Sequence, residues 1–354
     1  MSRKLITIST IMTLMSTSVI ADVPNVAADI APIHSLVSRV MDGVGVPKLI
    51  VQSGASPHGY RLRPSEAKAL QDADHVFWMG EELTPWLDSA IGTLASKASV
   101  TTLLDQEGII LHDFREGALF EAHDHSAHGD DDHDDHDDHD DDKGHKDHDD
   151  HDDHDDHDDH KDHDDHDDHD DHDDHKDHDD HDDHGSHDPH AWLSPENAKL
   201  WLNIIASKLS VSDPENAATY FMNAAAGQAE IEAMIAEVKA TLKPVQGGKF
   251  VVFHDAYQYF ENDFDFYASG AISLSDSSDP SPARIEKVQK RIRDEGIQCV
   301  LAEPQFKKGL VATVMEGSDA TASVIDPLGA ELETGPKLYT RLIKNMAKTL
   351  RNCL

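Results

Sequence analysis

From residue 121 to residue 188 the chain repeats one unit, His-Asp-Asp, broken by an occasional Lys, and offers almost no apolar side chain to bury. Such a segment cannot offset the entropy lost on ordering. It is expected to be a disordered insertion within a folded domain, at least without metal. Whatever core the protein has must come from the two flanks. The tract also accounts for the bulk charge: it carries 35 Asp and 21 of the 27 His, and its net −32 is most of the chain's −40, leaving about −8 elsewhere. No basic stripe stands out in the flanks, which argues against nucleic acid as a partner. Neutral imidazole, with an ordinary pKa of ~6.5, is the metal-binding form, and neighbouring aspartates attract cations. Tract histidines such as His148, His151, His154 and His157 are therefore expected to hold several metal ions, each weakly.

The first residues read as an export signal. Arg3 and Lys4 precede an uncharged stretch from Leu5 to Ile20, and the small residue Ala21 is followed by Asp22. That layout makes residues 1–21 a cleavable signal and places the mature protein in the periplasm. The stretch falls short of the ~20 apolar residues of a membrane span. No cysteine sits at the cleavage point for a lipid, and no later run is long enough to cross a bilayer. In an exported protein the two cysteines, Cys299 and Cys353, are a disulfide candidate, with two free thiols as the alternative.

Without signal and tract about 265 residues remain, enough for two domains of ordinary size. Short apolar runs alternate with helical patterns. Strands are expected at 48–51, 74–79 and 99–103 before the tract, and at 249–253, 266–272, 298–302 and 323–325 after it. Helices are expected at 64–71, 85–95 and 282–295 between them. This alternation predicts an α/β protein with two parallel-sheet lobes, residues 22–212 and 244–354. Asp213-Pro214 reads as a helix start, and from there to about Leu242 the only Gly or Pro is Gly227. Residues 213–243 are thus expected to form one long rigid helix joining the lobes.

Six histidines lie outside the tract: His34, His58, His75, His112, His190 and His254. His58 sits in a loop past the strand at 48–51, His254 closes the strand at 249–253, and His190 stands just before a helix capped by Ser194. Asp326 follows the last strand. Ligands of open α/β sheets bind beyond the carboxyl ends of strands. Three imidazoles and a carboxylate suit tetrahedral Zn²⁺. His34 and Glu303 are candidates to orient a ligand from behind. Trp78, Trp86 and Tyr257 are expected to wall the cleft, and His75 to be structural.

Five stretches carry a resemblance: GASPHGYRLRPSEAKAL (54–70), DPHAWLSPENAKLW (188–201), KFVVFHDAYQYF (249–260), CVLAEPQF (299–306) and VIDPLGAELETG (324–335). In this order they resemble the solute-binding receptors of high-affinity zinc ABC importers, the zinc branch of the metal-binding cluster. The likeness covers nearly all of the mature chain outside the tract. It implies two α/β lobes joined by one long helix, with the metal site in the inter-lobe cleft. It places zinc ligands on His58, His190 and His254, with Asp326 or water fourth; Pro57, where some relatives carry an acid, cannot ligate. The manganese branch has Glu where His254 stands, and a third imidazole favours Zn²⁺. The resemblance also pairs Cys299 with Cys353 and implies a membrane permease as partner. The protein is expected to be no enzyme, to act as a monomer, and to use its tract to collect, buffer or sense zinc. The competing readings are a zinc hydrolase, for which no His-Glu-x-x-His motif is present, a zinc store or chaperone, and an adhesin, which the missing lipidation cysteine disfavours.

Overall fold

Strand residues alternate between the two faces of a sheet, and in this protein both faces are covered. The computed structural model describes residues 23–115, 187–273, 280–305 and 308–354. The signal at 1–21 lies outside these residues, as does the tract with His148, His151, His154 and His157.

The first lobe holds β1 (Val26–Ala28), α1 (Ala31–Val40), β2 (Lys48–Leu49), α2 (Pro64–Gln71), β3 (His75–Trp78), α3 (Pro85–Leu94), β4 (Ser99–Thr102) and α4 (Pro195–Ser212). A long α5 (Ala217–Leu242) leads to the second lobe: β5 (Phe250–His254), α6 (Gln258–Phe264), β6 (Ala271–Ser273), α7 (Pro282–Glu295), β7 (Cys299–Ala302), α8 (Lys308–Met315), β8 (Thr321–Val324) and α9 (Leu338–Cys353). Both sheets are parallel and four-stranded, ordered β2-β1-β3-β4 and β6-β5-β7-β8. The α/β expectation holds, and the helices at 64–71 and 282–295 match to the residue.

Three expectations need correction. β1, the strand between β2 and β3, was not foreseen; Val-Ala-Ala is too short to stand out beside the apolar run before it. The strand expected at 266–272 pairs only at its end, with Ala271 and Ser273 beside Val252 and His254; Phe266 and Ala268 bury their side chains instead. Asp213-Pro214 does not open the long helix. Asp213 ends α4, and its carboxylate accepts from Asn216 Nδ2 (2.8 Å) and the Tyr220 hydroxyl (2.7 Å), so α5 starts at Ala217. Its 26 residues still run about 39 Å at ~1.5 Å each. Gly227 lets α5 approach closely: a Cβ there would meet Leu202 Cδ1 at 2.9 Å and Arg39 Cγ at 3.1 Å.

Packing follows the alternation. Ala27, Val76 and Trp78 face outward to a cluster with α2 and α3, while Val251, Phe253 and Val300 face a separate one with α7 and α8. The inner faces behave differently. Val26, Ala28 and Phe77 of one sheet and Phe250, Val252 and Leu301 of the other belong to a single core, together with side chains of α1, α4, α5 and α9. α9 packs against both α5 and α1. Polar stitches reinforce the join: Ser35 donates to the Gly335 carbonyl (2.7 Å) and accepts from the Tyr339 N–H (3.0 Å), and the Tyr339 hydroxyl donates to the Trp192 carbonyl (2.9 Å). Cys299 and Cys353 form a disulfide that ties the end of α9 to the start of β7. The polar side of α9 carries Arg341, Lys344, Lys348 and Arg351 with no acid, a short basic face that the sequence reading passed over.

Candidate metal centre

In a sheet of order 2-1-3-4 the chain leaves the first strand in one direction and later returns on its other side. The crevice beyond the carboxyl ends of those two strands is where ligands lodge. In the second lobe that crevice lies between β5 and β7. His254 is the last residue of β5, and Glu303 immediately follows β7. Their side chains meet there, with His254 Nδ1 2.8 Å from Glu303 Oε1. Gln305 donates to the other carboxylate oxygen at 2.7 Å.

His190 comes from the first lobe, at the turn before α4. Its Nδ1 lies 2.6 Å from Asp188 Oδ1, and the same oxygen accepts the His190 backbone N–H at 3.0 Å. A carboxylate only accepts, so in each neutral ring Nδ1 carries the proton and Nε2 presents a lone pair. The two Nε2 atoms face each other at 3.2 Å. Two nitrogens ~2.0–2.1 Å from one tetrahedral Zn²⁺ stand roughly 3.3 Å apart. Both residues are 4% exposed, and Asp188 and Glu303 are as deeply buried.

His58 completes the group from the loop between β2 and α2. Ligand atoms of His58, His190 and His254 all lie within 4.8 Å of one another, with no other side chain in the group among the described residues. The His58 ring centroid is 5.6 Å from that of His190 and 6.2 Å from that of His254. Side chains of its own lobe shape the loop. The Trp86 indole N–H donates to the Pro57 carbonyl (2.7 Å), and the Tyr60 hydroxyl donates to Glu66 Oε1 (2.8 Å), whose other oxygen caps α2 through the Arg63 N–H. Unlike its partners, His58 is only half-buried.

Other expected site residues lie elsewhere or do other work. Asp326 is not in the group. Its carboxylate accepts N–H bonds from Leu328 (3.1 Å), Gly329 (2.8 Å) and Ala330 (2.6 Å), which fold its own loop, while burial raises its pKa. His34 does not touch the ligand rings; its Nε2 is 3.1 Å from the Pro47 carbonyl and its Nδ1 3.4 Å from Ser38 Oγ, with burial lowering its pKa. His75 bonds Ser212 at 2.7 Å in a structural role. Trp78 belongs to the outer cluster and not to the cleft. Tyr257 is buried near Glu303; burial first, and that carboxylate second, push its hydroxyl well above the usual phenol range.

Two features were missed. Asp188 stood within the tract as drawn, yet it is folded and holds His190; its spacing, Asp-x-His at the end of the repeat, was the available signal. Behind His254, Asp255 pairs with Arg115, which also reaches Glu261 at 2.6 Å. Burial outweighs that cation and raises Glu261 to about 7. No sequence pattern announced this cluster, because Arg115 is 140 residues from Asp255.

The chain matches the family ZnuA, described as "Zinc-uptake complex component A periplasmic", over residues 26–353. A Brucella abortus protein, "High-affinity zinc uptake system protein ZnuA", is 47% identical over 329 residues, 93% of this chain and 91% of that one. The protein of the same description from Paracoccus denitrificans is 43% identical over 335 residues, 94% of this chain and 93% of the other. A crystal structure of ZnuA aligns with a TM-score of 0.65 at 19% identity, covering 94% of this chain and 99% of that chain. A mutant laminin-binding adhesin from Streptococcus agalactiae gives 0.66 at 19%, with the same coverage. At such identity these likenesses speak for the fold alone, so the adhesin adds nothing to a reading of function. Among the described residues no helix is long and apolar enough to cross a membrane. The family match over nearly the whole chain, and relatives identical at more than four positions in ten, make this protein a member of the ZnuA family of periplasmic zinc-uptake components.

Proposed function

We propose that this protein captures Zn²⁺ in the periplasm on His58, His190 and His254 and delivers it to a membrane ABC permease for uptake. The observation that carries the reading is the convergence of three imidazoles distant in sequence, with two Nε2 lone pairs aimed at one point 3.2 Å across. Water takes the fourth position, since Asp326 spends its oxygens on backbone N–H groups. Zn²⁺ here is cargo. The cleavable signal at 1–21 exports the chain, it works as a monomer, and the tract histidines collect and buffer zinc ahead of the tight site.

A hydrolase would use the same three ligands and a bound water. It would also need a general base free to take a proton. The two nearest carboxylates, Asp188 and Glu303, are each engaged with an imidazole, which favours holding an ion over activating water. The test is a calorimetric count of zinc on protein lacking 121–186, with thermal melting alongside. One tight ion and a clear rise in Tm are expected, since a ligand at ~1,000 times its Kd stabilises by about 4 kcal/mol. Absence of both would end the receptor reading. Storage by the tract alone predicts that all binding vanishes with the deletion.

A further inference from the structure

The immediate surroundings of the three rings have an unusual charge count. Asp188 and Glu303 are 2% and 3% exposed, and each sits directly behind a ligand imidazole, one ring away from the ion position. No cation is bonded to either among the interactions described: Asp188 Oδ1 takes two N–H groups of His190, and Glu303 takes His254 and the neutral amide of Gln305. The next carboxylates outward, Asp255 and Glu261, share Arg115, which cancels one of their two charges, and burial raises Glu261 to about 7, so the second is only partly ionised at neutral pH. An imidazole that binds a metal ion does so in its neutral form. Two buried negative charges therefore remain, and a dication at the centre cancels them while a monocation does not.

We propose that Asp188 and Glu303 act as the charge selector of the site, making it a receptor for divalent ions over soft monovalent ones that imidazoles would otherwise accept. The inference rests on the three-histidine reading and deepens it. Imidazole nitrogen binds Cu⁺ and Ag⁺ readily, so the ligand set alone discriminates poorly on charge. Geometry does not supply the discrimination either, because three rings and an open fourth position suit several coordination numbers. Charge does: at a fixed distance the attraction to a carboxylate scales with the charge of the ion. Removing one carboxylate should cost a dication twice as much, on a logarithmic scale, as a monocation.

The test uses the full-length protein with Asp188→Asn and, separately, Glu303→Gln. These changes remove charge and keep an acceptor. At 188 the amide oxygen is held toward the ring, because the Asp188 Oδ1 position also receives the His190 backbone N–H. Affinities for Zn²⁺, Cd²⁺ and Ag⁺ are measured by competition in chloride-free buffer, with a full-length protein carrying His58→Ala, His190→Ala and His254→Ala together supplying the tract-only background. Loss of a partner behind a metal-bound histidine typically costs ~10–100-fold in affinity. For a Zn²⁺ loss of about 30-fold, Cd²⁺ should fall in parallel and Ag⁺ by only about 5-fold, the square root. Equal losses for all three ions would show that the carboxylates only position the rings, and no loss would show that they do neither; each result overturns the proposal. If wild type and that triple variant bind zinc alike, the three-histidine site itself fails, an outcome distinct from both.

Discussion

The two sheets have the same strand order, yet their switch points are used in opposite ways. In the second lobe the crevice beyond β5 and β7 is furnished with His254 and Glu303 and faces His58 and His190. In the first lobe the corresponding place beyond β1 and β3 is closed by Asp29. Its carboxylate accepts the Ile30 N–H and, across the gap, the Met79 N–H, both at 2.7 Å. Asp29 is fully buried, and burial lifts it to about 7. With that crevice filled, the first lobe must offer its ligands from further out, His190 before α4 and His58 on a loop. The Asp29 carbonyl also holds the Val51 N–H at 2.8 Å, at the root of the His58 loop. One repeated architecture thus sets a buried imidazole at a strand end on one side and a half-buried one on a loop on the other.

The contrast can be broken first at the ligands. Structural zinc sites are worth ~10–16 kcal/mol over four ligands, or roughly 3–4 kcal/mol each. His254→Ala should therefore weaken zinc binding by about two to three decades, read by chelator competition. His58→Ala should cost roughly one decade less, because its loop and a water can rearrange around the ion left on His190 and His254. Equal losses would mean the loop is as rigid as the strand end.

The plug at Asp29 gives a pH signature of intermediate size. A carboxyl raised from 3.8 to about 7 on folding is protonated in the folded state and ionised in the unfolded state between those values. The folded chain then binds more protons, so stability is greatest below the unfolded pKa and falls as pH rises through this window. The expected contribution is about 2 kcal/mol lost between pH 5 and pH 7, measured by urea titration. Asp29→Asn should flatten that slope. Its stability at low pH should be lower, since the new amide would turn an NH₂ toward one of the two N–H donors. A slope as steep as the wild type's would show that Asp29 is ionised within the fold.

The smallest effect sharpens the loop side. Trp86→Phe keeps the ring and removes the N–H that holds the Pro57 carbonyl. One such bond is worth ~1 kcal/mol, so zinc release should quicken by roughly 5-fold, read by stopped-flow transfer to a chelator, with the melting temperature nearly unchanged. Unaltered release would remove Trp86 from any part in holding the loop.

Much of this was legible from residues. Strand ends at 253 and 302 and the helix cap at Ser194 placed His254, Glu303 and His190, because parallel strands read as apolar runs with abrupt polar ends. Asp188 was passed over, being one aspartate after dozens in a tract that composition had set aside, although its Asp-x-His spacing set it apart. Asp326 misled for a complementary reason. A carboxylate after a strand can face a ligand or fold its own loop, and only the three N–H groups behind it decide. Asp213-Pro214 looked like a helix start, but the competing bond to the Tyr220 hydroxyl lies seven residues on, beyond the reach of a capping pattern.

The core shared by both sheets limits how such a protein can let go of its ion. Swinging the halves apart would open the core that both sheets share, break the bond from the Trp192 indole to the Pro327 carbonyl and sever the Ser35, Gly335 and Tyr339 stitches. Each large apolar side chain so exposed costs ~1.5–3 kcal/mol, and a few of them would consume the ~5–15 kcal/mol that keeps a domain folded at all. A jaw-like opening is thus too expensive to repeat with every delivery. The loop that carries His58 is only partly buried, so displacing it would expose far less apolar surface than parting the lobes.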